Sequence, residues 1–180
     1  RISFNTMNSP NPTEAPQLCR LCSDATLHPF LDLGTMPIAN AFLTSAQLTQ
    51  PEYTFRLQVG FCESCLMVNL VDTVDPNMLF HDRYAYFSSI SSVMDRHFSQ
   101  LAAAIGDTVL YDEHLPIVEI GANDGILLQK LAERTTNAIG IEPSTNVANE
   151  ARKKGLNIIT EFFTPNLAGS ITDEHGLAQL

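Results

Sequence analysis

The chain has 180 residues, no tryptophan, 44% apolar residues and a formal net charge of −10. That length holds one full domain, or a partial domain beside a small module. The acidity argues against a nucleic-acid binder, which would carry a basic face. No apolar run approaches the roughly 20 residues that a bilayer span requires, so the expectation is a soluble, cytoplasmic, monomeric protein.

Residues 1–16, RISFNTMNSPNPTEAP, lack the continuous apolar core of a signal peptide, and six leader-like residues precede Met7; a disordered leader is expected there. Residues 17–71 read as short strands and turns. HPFLDLGTMPIANAF is rich in turn residues, whereas YTFRLQVGFC alternates as a strand does. Residues 72–115 read as a helical connector. In SSVMDRHFSQLAAAIGDTV, residues Val93, Met94, Phe98, Leu101, Ala102 and Ile105 recur at amphipathic-helix spacing, with Ser91 or Ser92 as the cap and Asp95 behind it.

Residues 116–180 alternate more regularly. IVEI is a strand, GANDG a turn and ILLQKLAERT a helix with Leu127, Leu128 and Leu131 on one side. AIGIEP is a second strand, STNVANEARKKG a second helix opened at Ser144 or Thr145 and closed at Gly155, and NIITEFF a third strand. Strand–helix alternation at this spacing implies right-handed crossovers and a parallel sheet covered by helices.

All four cysteines fall in Cys-x-x-Cys pairs, Cys19/Cys22 and Cys62/Cys65. Such a turn points two thiolates at one ion, and two turns complete a tetrahedral four-thiolate site for structural zinc. The 39 residues separating the pairs, 23–61, exceed the usual spacing of roughly 15–20, so a strand-rich insert must fold between them. Two unrelated reduced pairs, or a thioredoxin-like redox centre, are the alternatives.

In VEIGANDG, Gly121 ends the strand and Gly125 opens the helix. Glycine permits a sharp turn and close approach of a ligand. Glu142, after the second strand and about 20 residues on, stands where an acid takes both hydroxyls of a ribose. The dinucleotide fingerprint Gly-x-Gly-x-x-Gly is not met, since Ala122 and Asn123 occupy the middle. Glu119 adds negative charge that would repel a polyphosphate and welcome a cation. S-adenosylmethionine carries a sulfonium, an ammonium and a ribose and no phosphate, so it suits the turn better than NAD.

FHDRYAYFSSISSVMDRHF, between the cysteine module and the sheet, puts Tyr84 and Tyr86 on one face of an extended segment. Ser88, Ser89, Ser91 and Ser92 offer hydroxyls near a helix start, a place suited to anions. From spacing alone, a linker with two packed tyrosines explains the segment equally well.

Taken in order, CRLC, FLDLGTMPIANAF, GFCESCLMV, LFHDRYAYFSSISSVMDRHF, VEIGANDGILL, GIEPS and ARKKG resemble the S-adenosylmethionine-dependent sugar C-methyltransferases. That family acts on nucleotide-linked 4-keto deoxysugars, typically at C-3. The resemblance implies an α/β chain: a small zinc-binding β-rich module, then the first half of a Rossmann-like methyltransferase domain. It implies zinc on Cys19, Cys22, Cys62 and Cys65, and S-adenosylmethionine against Glu119, Gly121, Asn123, Gly125 and Glu142. It further implies an active-site role for Tyr86 with Tyr84, and a nucleotide-linked sugar as partner. The family's Tyr-x-Glu-His base has no counterpart here, and none of His28, His81, His97, His114 and His175 sits on a methyltransferase motif. The resemblance therefore implies a fragment, inactive alone, whose base lies beyond residue 180. An NAD-dependent sugar-modifying enzyme and a non-catalytic zinc-ribbon module are the competing expectations.

Overall fold

The computed structural model describes residues 17–108, 112 and 114–180; the leader expected over 1–16 lies outside them. The described residues form two compact units. One comprises residues up to Ile38 with Pro51–Val74, the other Ala39–Gln50 with Asp75–Leu180.

The first unit is a three-stranded antiparallel sheet in the order β1 (Leu27–Pro37), β2 (Thr54–Cys62), β3 (Val68–Leu70). The turn-rich reading of residues 28–37 does not hold, because β1 runs through them. The strand absorbs its glycine by register shifts between Pro29 and Leu31 and between Asp32 and Thr35. Gly34 takes φ +76° at the second shift, a bulge conformation that favours glycine. Asp32 fixes the bulge. One of its oxygens accepts the Gly34 N–H at 2.9 Å and the other accepts from Arg56 Nη2 at 2.8 Å across the ladder. The Arg56 guanidinium, helped by that amide, holds the Asp32 carboxyl below its usual value.

The second unit contains α1 (Pro76–Leu79), α2 (Ser92–Thr108) and a parallel sheet in the order β4 (Ile117–Ile120), β5 (Ala138–Ile141), β6 (Asn157–Ile159). Helix α3 (Ile126–Ala132) connects β4 to β5, and α4 (Thr145–Lys153) connects β5 to β6. Each helix sends its apolar stripe onto the sheet: Leu128, Ala148 and Ala151 meet Ala122, Ala138 and Ile158 in one cluster. Ala102 of α2 joins Ile117 and Leu131 in a second. All four residues of β5 are buried, as expected for a central strand covered on both faces. Gly140 makes this possible. A Cβ there would stand 2.9 Å from Ala122 Cβ and would also displace the Ile158 and Leu128 methyl groups, so the residues covering β5 could not pack this closely.

The expected cap of α2 is present, with Ser91 Oγ accepting the Met94 N–H at 3.4 Å. Asp95 does not fold back on the helix start; it pairs with Lys130 of α3 at 2.8 Å. The third strand is shorter than NIITEFF, ending at Ile159. An unexpected helix follows, α5 (Pro165–His175), capped by Thr164 Oγ1 accepting the Leu167 N–H at 3.2 Å. Its Ile171 and Leu167 cover Ile139 and Ile141 from the other face of the sheet. The chain then returns beside β4, where Gln179 N–H donates to Pro116 O at 2.9 Å and Val118 N–H to Leu180 O at 2.8 Å.

The two turn glycines carry different loads. Gly125 (φ +79°) faces α4, and a Cβ there would lie 2.3 Å from Leu156 Cδ1 and 3.2 Å from Ala151 Cβ. Gly121 (φ +73°) faces open space. Gly125→Ala should therefore cost about 2–4 kcal/mol, strain plus overpacking, and Gly121→Ala only about 1–2 kcal/mol of backbone strain. Thermal melting of the two variants checks the order; equal losses would contradict it.

Candidate functional site: a four-cysteine cluster and a glycine turn under a tyrosine strap

The cysteine cluster lies in the first unit. Each pair forms a tight turn in which the residue four after the first cysteine closes back on it. Ser23 N–H donates to Cys19 O at 2.8 Å and Leu66 N–H to Cys62 O at 2.9 Å. Both closing residues take positive φ, 55° and 62°, strain that an L residue adopts only where the surroundings enforce it. The turns bring all four Sγ atoms within 4.8 Å of one another, with Cys19–Cys65 and Cys22–Cys62 each at 3.6 Å. Tetrahedral zinc with Zn–S of about 2.3 Å sets sulfurs roughly 3.8 Å apart, so the residues fit that ion. Asn69 Nδ2 donates to Cys19 Sγ at 3.7 Å, a partner that suits a thiolate. Cys22 and Leu21 amides bring the Cys19 thiol down to about 6 against the opposing effect of burial. The Met67 amide also lowers Cys65, but burial and the other three sulfurs outweigh it and push that thiol up to about 12. The sulfurs of one cluster are thus pulled in opposite directions. A divalent cation removes that conflict.

The glycine turn lies in the second unit, at the carboxyl ends of β4 and β5, where open parallel sheets bind ligands. Gly121 and Ala122 N–H groups donate to Ile141 O at 2.8 and 3.0 Å, and Gly125 N–H closes on Ala122 O at 2.9 Å. Glu142, only 4% exposed, knits the turn to the start of α4: Oε2 accepts the Asn123 N–H at 3.1 Å and Oε1 the Ser144 N–H at 2.8 Å. Each carboxylate oxygen thus accepts one backbone amide and keeps a second lone pair. Glu119 presents a different state from the charge expected of it. Burial, opposed by the Leu128 amide, pushes its carboxyl up to about 8. At neutral pH it is mainly a neutral acid. What disfavours a pyrophosphate is therefore the missing glycine, with Ala122 buried in the core beneath the turn.

The tyrosine segment, residues 84–90, is a strap held by this turn. Asn123, at φ 52°, accepts the Ser88 N–H on Oδ1 at 2.8 Å and donates Nδ2 to Tyr86 O at 3.1 Å. Asn146 Nδ2 donates to Tyr84 O at 2.8 Å. Ser89 gives both its N–H, at 3.2 Å, and its hydroxyl to Asp124 Oδ2. Of the serine hydroxyls expected to be available to an anion, that of Ser89 is given to Asp124 instead, and Ser91 Oγ accepts the Met94 N–H at the start of α2. The Tyr84 ring lies on Phe80 with centroids 5.5 Å apart. Burial, with Glu142 and Tyr86 nearby, raises its phenol above the ordinary value, so it stays a neutral donor. Tyr86 is 44% exposed.

Among the described residues, four buried side-chain oxygens lack a hydrogen-bond partner: Glu119 Oε2, Asp124 Oδ1, Ser144 Oγ and Asn146 Oδ1. All four belong to β4 or to the turns and helix starts that follow β4 and β5. Unsatisfied buried polar atoms cost about 1–3 kcal/mol each, and their concentration at one edge is what a polar ligand site requires. Asp124 and Asn146 were not singled out in the sequence. The signal for Asp124 was present, as two Asx residues between two turn glycines; Asn146 gave none. The histidines stand elsewhere: His28 beside Phe61 and Glu63, His81 accepting the Arg83 N–H at 3.0 Å, His97 against Phe98 and His175 beside Glu174. Among the described residues no helix is long and apolar enough to cross a membrane.

Known proteins resemble both parts of the chain. Residues 19–80 match the family model Methyltransf_13, described as "Putative zinc binding domain". The chain is 26% identical over 162 residues to the C-methyltransferase NovU of Streptomyces niveus, covering 90% of this chain and 38% of that protein. Solved structures with similarity include a SAM-dependent methyltransferase from Anabaena variabilis (21% identity, TM-score 0.36, 43% of this chain and 35% of that one). Another is magnesium protoporphyrin IX methyltransferase of Synechocystis with bound SAH (18%, TM-score 0.33, 39% of each chain).

Protein purified in reducing buffer should carry about one zinc per chain, and Cys62→Ser should lose it and unfold the first unit; a metal-free, folded sample contradicts this. Glu119→Gln should stabilise the ligand-free chain. The folded-state pKa of this carboxyl lies above the unfolded one, so its contribution in the wild type is intact below about pH 4.5 and is lost as pH rises to about 8. The substitution should therefore gain roughly 2–4 kcal/mol at pH 8 and little at pH 5. Melting curves at both pH values test this, and a pH-independent difference contradicts it.

Proposed function

We propose, for a chain supported by its matches as a relative of the S-adenosylmethionine-dependent sugar C-methyltransferases, that its second unit binds S-adenosylmethionine and its strap lies over the acceptor sugar. The chain spans 38% of the length of the curated C-methyltransferase it matches, so the activity is proposed for the whole protein. The observation that carries the reading is the glycine turn itself. A Cβ at Gly121 would meet nothing within 4 Å, one buried oxygen of Glu119 two residues earlier lacks a partner, and Glu142 binds the turn through the Asn123 and Ser144 amides.

The roles follow from the chemistry of each group. Bound S-adenosylmethionine supplies a methyl group on a positively charged sulfur. Glu119, neutral while empty, becomes a carboxylate as the cation approaches and so binds charge without repelling its own surroundings beforehand. Gly121 lets the ligand approach the backbone without a Cβ between them, and Glu142 accepts the ribose hydroxyls on its remaining lone pairs. Asn123 holds Glu142 and strap in register. Gly125 acts beneath the site, through the approach of α4. Tyr84 and Tyr86 offer neutral phenols to the oxygens of a nucleotide-linked keto sugar. A ketone acidifies its neighbouring C–H, and polarising its oxygen favours the enolate carbon that accepts the methyl group. We assign the proton acceptor to none of the described histidines, given the partners they hold. Zinc in the first unit would have four thiolates and no open position, so its role is structural.

Calorimetry tests this reading. S-adenosylmethionine should bind and NAD should not. The ratio of wild-type to Glu119→Gln affinity should widen about three- to ten-fold between pH 6 and pH 8 as the carboxyl ionises. Tighter binding of NAD, or a ratio flat with pH, defeats the assignment.

A further inference from the structure

We propose that Asn123 and Asp124 form a latch that fastens the strap 84–90 to the glycine turn, so that the placement of Tyr84 and Tyr86 depends on the state of the turn. Both are positioning residues, and their purpose rests on the reading of the turn as the cofactor site. Within the strap, 84–90, the regular structure is one short 3-10 turn, Ser88–Ile90. The strap's local backbone bonds are long, Tyr84 N–H to His81 O at 3.3 Å and Ile90 N–H to Phe87 O at 3.4 Å. The shorter bonds come from the turn and from α4.

Asn123 is placed to couple the two. At φ 52° glycine would be the easier residue, yet asparagine stands there and spends its whole side chain on the strap while its backbone N–H goes to Glu142. One residue therefore touches the acid proposed for the ribose and the segment proposed for the sugar. Asp124 supplies the second hold. It is 2% exposed, and burying a carboxylate is costly unless it is paired. Its partners are Ser89 on the strap and Lys154 Nζ, which lies 3.8 Å from Oδ2 and donates to the Asp124 carbonyl at 2.7 Å. Asn146 adds a third tie, at Tyr84. Coupling of this kind is reciprocal: if a ligand at the turn favours the fastened strap, fastening the strap raises the affinity for that ligand by the same factor.

Hydrogen exchange on the full chain decides the matter. Asn123→Gly keeps the positive φ and the amide to Glu142 and removes only the side chain; Ser89→Ala removes one hydroxyl. The Ser88 and Ser89 amides should exchange about ten-fold faster in Asn123→Gly, the equivalent of one hydrogen bond, and faster to a smaller degree in Ser89→Ala. Amides of Ile139–Ile141 should keep their wild-type rates. Added S-adenosylhomocysteine should slow the strap amides of the wild type and, at concentrations that saturate each protein, slow them less in Asn123→Gly. Strap amides at wild-type rates in both variants, or acceleration spread equally over β5, overturns the latch. If the wild type does not bind S-adenosylhomocysteine, the cofactor reading fails, while the ligand-free comparison still decides the latch.

Discussion

The second unit depends on one constraint: five residues, Gly121 to Gly125, must reverse the chain between β4 and α3 while keeping every buried polar group accounted for. The main-chain donors solve their half by pairing with Ile141 O and Glu142. The side chains of Asn123 and Asp124 cannot point into the core below, which Ala122 and Leu128 fill. They turn to the strap, a neighbouring segment whose amides they engage. The strap's position is thus a consequence of how the turn satisfies its hydrogen bonds, and the tyrosines follow from the strap.

The same accounting explains where the site is soft. A turn built for stability alone would leave no buried oxygen unpaired. Here, among the described residues, four are left, on Glu119, Asp124, Ser144 and Asn146, against a norm in which buried polar side chains nearly all find partners. Retaining them keeps acceptors and one titrating carboxyl at the edge of a sheet whose central strand is wholly buried. The rigid part and the unsatisfied part lie side by side, which is the arrangement a preorganised polar site needs.

How much of this could be read in the sequence depends on the range of the interaction. β4, α3, β5 and α4 follow from local periodicity and from Gly155 as a stop, and they are where the residues suggest. The four cysteines find one another across 40 and 46 residues because thiolate spacing carries its own chemistry. The length of β1 was hidden because Gly34, Pro29 and Pro37 signal turns locally, and only pairing with β2 overrides them. α5 was hidden because its contribution is made by Leu167 and Ile171 against β5, in a segment with glycine inside it. The fate of the strap serines was illegible for a related reason: Ser88 and Ser89 meet Asn123 and Asp124 across 35 residues, and no local pattern announces an amide's distant partner.

The first unit poses the opposite problem. Its buried cluster is Cys19, Leu27 and Cys62, with Cys22, Ala25 and Cys65 packed against it. Four of those six have the geometry to hold a metal ion. Leu31, Leu33 and Met36 of β1 and Val68 and Leu70 of β3 are exposed. Burial at about 25 cal/mol per Å² yields little from so small a core, and modules of this size without a core ordinarily rely on a metal or disulfides. Structural zinc contributes roughly 10–16 kcal/mol in small peptides, far more than one leucine. The strained Ser23 and Leu66 backbones make sense in the same terms, since a few kcal/mol of turn strain is small beside the coordination energy it secures. In this unit the cysteines make up most of the buried cluster, so the strands have little other core to pack around.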